Sequence, residues 1–211
     1  MRKLPLIVAL VATASCVALS TPADARDLGD GPWAKERFQV RLRGIDVLPD
    51  EDADVNIGGE LKAENAFVPE VDLTYFFTPH IAAELIAATS KHDIKYEGSA
   101  LGDAWILPPT LTLQYHFTPD NKFSPYLGAG VNYSIFYAED AATGFHDLDI
   151  GNGVGFALQA GSDYWINDHW GVNLDVKKLW LNIDASVNTG AVTADIDLDP
   201  WIIGAGVSYR F

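Results

Sequence analysis

The sequence predicts an all-β fold, an eight-stranded antiparallel transmembrane β-barrel. Three observations lead there. Apolar and polar residues alternate with a period of two, which puts successive side chains on opposite faces of a strand. Four alternating runs end on one aromatic design: Tyr75-Phe76-Phe77, Tyr115-His116-Phe117, Tyr164-Trp165-Ile166 and Tyr209-Arg210-Phe211. Short turns follow three of these ends, while longer acidic connections join the strands at the opposite rim. Aromatics at one height on an outward face form a girdle at a membrane–water interface.

The first element is a leader. Arg2 and Lys3 are followed by an uncharged run, Leu4 to Leu19, and Ala23-Asp24-Ala25 supplies the small residues that a signal peptidase reads. Residues 1–25 are therefore expected to be a signal peptide, cleaved after Ala25. A membrane anchor would need an apolar run of roughly 20 residues. Lipoprotein processing at Cys16 is a rival, though Thr13 stands where leucine is normally wanted. Residues 26–211 are expected to be the barrel.

Charge and thiol content narrow the classes. The chain has 211 residues, with 14 Lys+Arg against 29 Asp+Glu, a formal net charge of −15. Nucleic acid demands a basic face, so it is excluded as a partner. The single Cys leaves with the leader, which removes disulfide and thiolate-metal chemistry.

Strands are expected at 38–47, 67–77, 81–96, 105–117, 125–137, 153–166, 170–183 and 196–211. The turns near Thr78-Pro79, Pro119-Asp120 and Asn167-Asp168 are short. The connections at 48–66, 97–104, 138–152 and 184–195 are longer, and they carry acid: Asp50-Glu51-Asp52, Asp54, Asp103, Glu139-Asp140, Asp147, Asp149 and Asp195. An even number of antiparallel strands closes without an edge, as a lipid environment requires.

With the aromatic ends facing out, Arg41, Arg43, Lys177 and Arg210 point inward, as do Glu70, Asp72, Glu84, Asp163 and Asp175. These charges nearly cancel and can pair. Ile86 and Ala88 follow Glu84 on the third strand, and Phe136 follows Asn132 and Ser134 on the fifth. On the seventh, Leu179 or Trp180 reaches the same height, depending on a slip at Lys177-Lys178. The expected channel lining is thus Ile86, Ala88, Phe136 and Trp180 above Glu84, Asp175, Lys177 and Arg210.

Several stretches resemble the OmpW family of outer-membrane proteins. They are Trp105-Ile106-Leu107-Pro108-Pro109-Thr110-Leu111-Thr112-Leu113-Gln114-Tyr115-His116-Phe117, Pro125-Tyr126-Leu127-Gly128-Ala129-Gly130-Val131-Asn132-Tyr133, Ala160-Gly161-Ser162-Asp163-Tyr164 and Asp199-Pro200-Trp201-Ile202-Ile203-Gly204, with the terminal Tyr209-Arg210-Phe211. Asn173-Leu174-Asp175-Val176-Lys177-Lys178 and Lys91-His92-Asp93-Ile94 also fit. The match runs in order over nearly the whole chain after the leader. It implies a narrow apolar channel in the outer membrane of a Gram-negative cell, passing small hydrophobic molecules passively. Lipid, lipopolysaccharide and a barrel-assembly machinery that reads Phe211 are the partners the resemblance implies.

No catalytic, cofactor or metal site is expected. His80, His116 and His169 fall at the short-turn rim. His92-Asp93 could orient an imidazole, but no serine is tied to it by a motif, so His92 reads as an exposed rim residue. His146, Asp147 and Asp149 lack a spacing that closes a metal site. Two readings remain: a channel for small hydrophobic molecules, or a structural or adhesive barrel plugged by its inward charges, since eight strands leave a bore that side chains can fill.

Overall fold

The computed structural model describes residues 27–55, 61–63, 65–96, 99–141, 148–187 and 192–211. The expected leader, Cys16, His146 and Asp147 lie outside them, as do the side chains of Glu51, Asp52, Asp54, Asp93, Glu139 and Asp140. A 3-10 turn at Lys35–Arg37 leads into β1 (Phe38–Leu48), β2 (Glu51–Val55), β3 (Leu61–Ala63), β4 (Ala66–Phe76), β5 (Ile81–Ala88), β6 (Ser90–Tyr96) and β7 (Ser99–Leu107). Then come β8 (Thr110–His116), β9 (Phe123–Ala141), β10 (Leu148–Ile150), β11 (Gly153–Trp165), β12 (Trp170–Val187), β13 (Val192–Leu198) and β14 (Trp201–Arg210).

The membrane-level ring is β1–β4–β5–β8–β9–β11–β12–β14, and β14 pairs back onto β1, so eight antiparallel strands close without an edge. The expected strands 81–96 and 196–211 are each interrupted once, and the stave containing 105–117 begins earlier, at Ser99. Prolines explain two of the breaks. Pro108-Pro109 separates β7 from β8 and Pro200 separates β13 from β14, each lacking the N–H a ladder needs. Between β5 and β6, the Thr89 hydroxyl instead donates to the Ile106 carbonyl at 3.2 Å.

The aromatic ends lie as their alternation predicts. Phe77, Tyr115, Phe117, Tyr164, Ile166 and Phe211 face outward, whereas the residues between them (Phe76, His116 and Trp165) are buried in the bore. Edge-to-face pairs such as Tyr75–Phe77, Tyr115–Phe117 and Tyr209–Phe211 tie this lower girdle together. A second girdle lies higher. Trp180 packs near Phe156, Trp105 stacks on Tyr137, and Lys178 lies over Trp201. From Trp170 to Trp180 is about 33 Å of strand at ~3.3 Å per residue. At a tilt of roughly 40° this spans about 25 Å, the height of a membrane barrel's apolar band.

The long connections are corrected in part. Much of 48–66, 97–104, 138–152 and 184–195 is strand: β2, β3, the start of β7, the end of β9, β10, the end of β12 and the start of β13. Above the upper girdle the alternation continues with reversed polarity. Ile183, Ala185, Ala194 and Ile196 face in, while Asn182, Asp184, Asp195 and Asp197 face out. Outward acid reads as loop only where the outside is taken to be lipid; here the outside is water.

Residues 27–37 fold across the short-turn mouth. Leu28 is buried against Phe76 and Ala82, and Arg37 donates to the carbonyls of Phe76 and Phe77.

The closing seam is tight. Gly206 lies opposite Arg43, and a Cβ there would collide with the Leu42 carbonyl oxygen. Overpacking of this kind costs about 1–3 kcal/mol. Gly206→Val should therefore lower the midpoint of urea unfolding in lipid vesicles, read by heat-modifiable gel mobility; an unchanged midpoint would show that the seam has slack.

Candidate functional site

The bore is divided by height, and a buried charge layer forms the division. Arg41 and Arg43 come from β1, Glu70 and Asp72 from β4, Glu84 from β5, Asp163 from β11, and Asp175 and Lys177 from β12. All eight are essentially buried. The Arg41 guanidinium donates to both Asp163 oxygens, at 3.2 and 2.8 Å, and to Glu84 at 2.9 Å. Arg43 meets Glu70 at 2.7 Å and Asp72 at 2.6 Å. Lys177 meets Asp175 at 2.7 Å and Glu70 at 3.2 Å.

Neutral groups complete the layer. Gln159 donates to Glu84 and Asp175, both at 2.8 Å, and the Tyr126 hydroxyl donates to Asp175 at 2.7 Å. Gly161, paired with both Tyr126 and Asp175, leaves the space that the Tyr126 ring occupies. Charges buried in this way are tolerable only when paired and hydrogen-bonded.

Above this floor lies an apolar chamber of about 240 Å³. Ile45, Ile86, Leu179, Leu181, Ile196 and Ile202 contribute to its wall, and Glu70 and Lys177 reach its base. Above the upper girdle, where the same strands turn Asn182, Asp195 and Asp197 outward, the inward positions Leu181 and Ile196 stay apolar. The volume falls below the roughly 300 Å³ at which drug-sized pockets begin, so it suits small molecules.

The residues predicted for the channel divide accordingly. Ile86, Ala88 and Phe136 all line the chamber, Ala88 in the lower apolar cluster with Ile45 and Leu179, Phe136 in the upper one with Leu148 and Ile183. Lys177 lies at its base, and Glu84 and Asp175 lie within the charge layer. Arg210 faces the bore, but at the short-turn mouth. Its guanidinium lies 4.1 Å from the Trp165 ring centre, and its Nε donates to the Asp168 carbonyl at 2.7 Å.

Trp180 is a correction. It is 39% exposed on the outer wall, whereas Leu179 is 4% exposed and lines the chamber. The alternation of β12 runs through Lys177-Lys178 without a slip, which keeps odd positions inward. His92 is a second correction. It is half-buried in the chamber wall, with Nε2 2.8 Å from the Ser90 hydroxyl. Both positions belong to the inward series of β6, which the reading of 97–104 as loop had made look like a rim.

Leu101, Ala104, Ile106, Leu148, Leu181, Ile183 and Ile196 are lining residues that sequence reasoning missed. Extending the inward parity of the lower strands would have found those on β12.

Comparison with known proteins agrees with this architecture. The model of the OmpW family matches residues 34–211. The chain is 49% identical over 191 residues to the outer-membrane protein y4mB of Sinorhizobium fredii, covering 87% of this chain and 81% of that one. It is 33% identical over 216 residues to outer membrane protein W of Escherichia coli, covering 96% and 98%. The crystal structure of OprG from Pseudomonas aeruginosa superposes with a TM-score of 0.76 at 30% identity, covering 82% of this chain and 95% of that one.

Removing one member of a buried charge network strands its partners. Arg43→Met should cost roughly 3–5 kcal/mol of folding stability, measured by equilibrium urea titration in lipid vesicles. Arg43→Lys should restore only part of it, because an ammonium cannot reach Glu70, Asp72 and Asn173 together as the planar fork does. A loss below 1 kcal/mol would show that the layer repacks around the gap.

Proposed function

The chain belongs to the OmpW family of outer-membrane proteins, and from that premise we propose that it takes small hydrophobic molecules from outside the cell into its chamber for passive passage across the outer membrane. The barrel lies in the lipid bilayer. The observation that carries the proposal is an apolar chamber set directly above a buried ionic floor.

An apolar solute gains roughly 25 cal/mol per Å² on leaving water, so the chamber collects it. A sugar would shed its hydration without replacement hydrogen bonds, at about 2–7 kcal/mol per unsatisfied group. The floor turns both away from a straight path down the axis. Residues 1–25 act in this proposal as the cleaved leader, and Phe211 as the assembly signal.

The sealed bore also supports a second reading, a structural or adhesive barrel without transport. The two separate in proteoliposomes, by comparing uptake of a small aromatic hydrocarbon with that of a sugar of similar mass. Ile86→Arg places a cation in the chamber base, within reach of Asp72 on the paired strand. It should lower hydrocarbon uptake at least about tenfold while the barrel still folds, given the cost of an apolar solute meeting a hydrated charge. Trp180→Ala, on the lipid side, should transport as the wild type does. If the wild type matches empty vesicles, the structural reading stands instead.

A further inference from the structure

Among the described residues, the chamber wall is apolar except near its base and at Ser90 and His92. Of the polar side chains near its base, the Ser134 hydroxyl donates to Asn132 at 2.7 Å, and Thr110 donates to the Pro108 carbonyl at 3.0 Å while accepting from Asn132 at 2.8 Å. Glu70 and Lys177 are held in the ionic floor. Ser90 and His92 differ. They occupy successive inward positions of β6, line the chamber, and are hydrogen-bonded to one another at 2.8 Å. Their strand partners are Ile106 and Ala104, and the small Ala104 beside His92 adds little bulk to the wall there.

A hydroxyl has one donor and two acceptor sites, and the bond to His92 uses one of them. Ser90 is buried and lines the chamber, so a partner for its remaining sites can come from a molecule inside the chamber.

We infer that the Ser90–His92 pair is a polar recognition point, and that the chamber's preferred solute is a small apolar molecule bearing one uncharged oxygen group, such as an alcohol, phenol or ketone. This rests on the chamber being the solute site. The oxygen group hydrogen-bonds to the Ser90 hydroxyl while the hydrocarbon body fills the apolar wall. A carboxylate is disfavoured, because the lysine that lines the chamber, Lys177, is already paired with Glu70 and Asp175. A pure hydrocarbon fills the space but leaves the hydroxyl with unused bonding capacity.

The test compares initial uptake of benzyl alcohol and of toluene in proteoliposomes holding wild type, Ser90→Ala/His92→Phe or Ser90→Thr, each checked for heat-modifiable folding. The alcohol-to-toluene ratio should fall roughly three- to tenfold in the double variant, the loss of about one hydrogen bond. It should hold in Ser90→Thr, which keeps a hydroxyl. An unchanged ratio, with toluene uptake still above that of empty vesicles, overturns the recognition point and leaves the chamber reading standing. Uptake of neither compound by the wild type overturns both. Wild-type protein in lipid nanodiscs supplies a second measurement that needs no variant: the His92 ring ¹⁵N resonances should shift with benzyl alcohol and not with toluene. The same response to both compounds overturns the inference.

Discussion

Three cations and five carboxylates buried at one height inside a closed ring constrain the rest of the molecule. None of them can be left unpaired there, and their partners come from five different strands, so the pairing fixes several registers at once. A one-residue slip of β1 would send Arg41 and Arg43 toward lipid and bring Leu42 inside. The glycines follow from the same demand. Gly206 lies opposite Arg43, and Gly161 makes room for Tyr126, so backbone space is given up where large polar side chains must meet. The layer is also a wall, and the apolar chamber lies on one side of it.

In the lower barrel the sequence is easy to read, because each strand has a single environment on each face. Lipid outside and the charge layer inside give an uninterrupted alternation, as from Val207 and Tyr209 outward to Ser208 inward. Strand count, closure and the short-turn rim follow from it. The upper barrel reverses polarity while keeping the same geometry. Ile183 and Asp184 alternate as faithfully as Leu174 and Asp175, but the apolar member now faces in. Without knowing where the membrane ends, an Asp-bearing segment such as 184–195 has the composition of a loop.

The candidate site was legible to the same depth. Ile86 and Ala88 sit just above the charges and Phe136 higher on its strand, all within reach of a register counted from the aromatic ends. Trp180 was misread because a tryptophan suits an apolar constriction and an outer girdle equally well by type. Only the unbroken parity of β12 separates it from Leu179. Ser90 and His92 were hidden for another reason. A serine and a histidine two residues apart carry no motif, and their meaning comes from β6 continuing upward beside β7.

The height of the chamber changes the kind of solvent it is. Leu181, Ile183 and Ile196 lie above the upper girdle, so much of the chamber stands beyond the hydrocarbon, in a zone bathed by water. A bilayer dissolves a solute in proportion to its concentration, without a fixed limit. A walled space of about 240 Å³ admits one small guest and is then full. Under the proposed function, capture there would saturate, so its capacity would be set by the number of barrels on the surface rather than by the area of membrane.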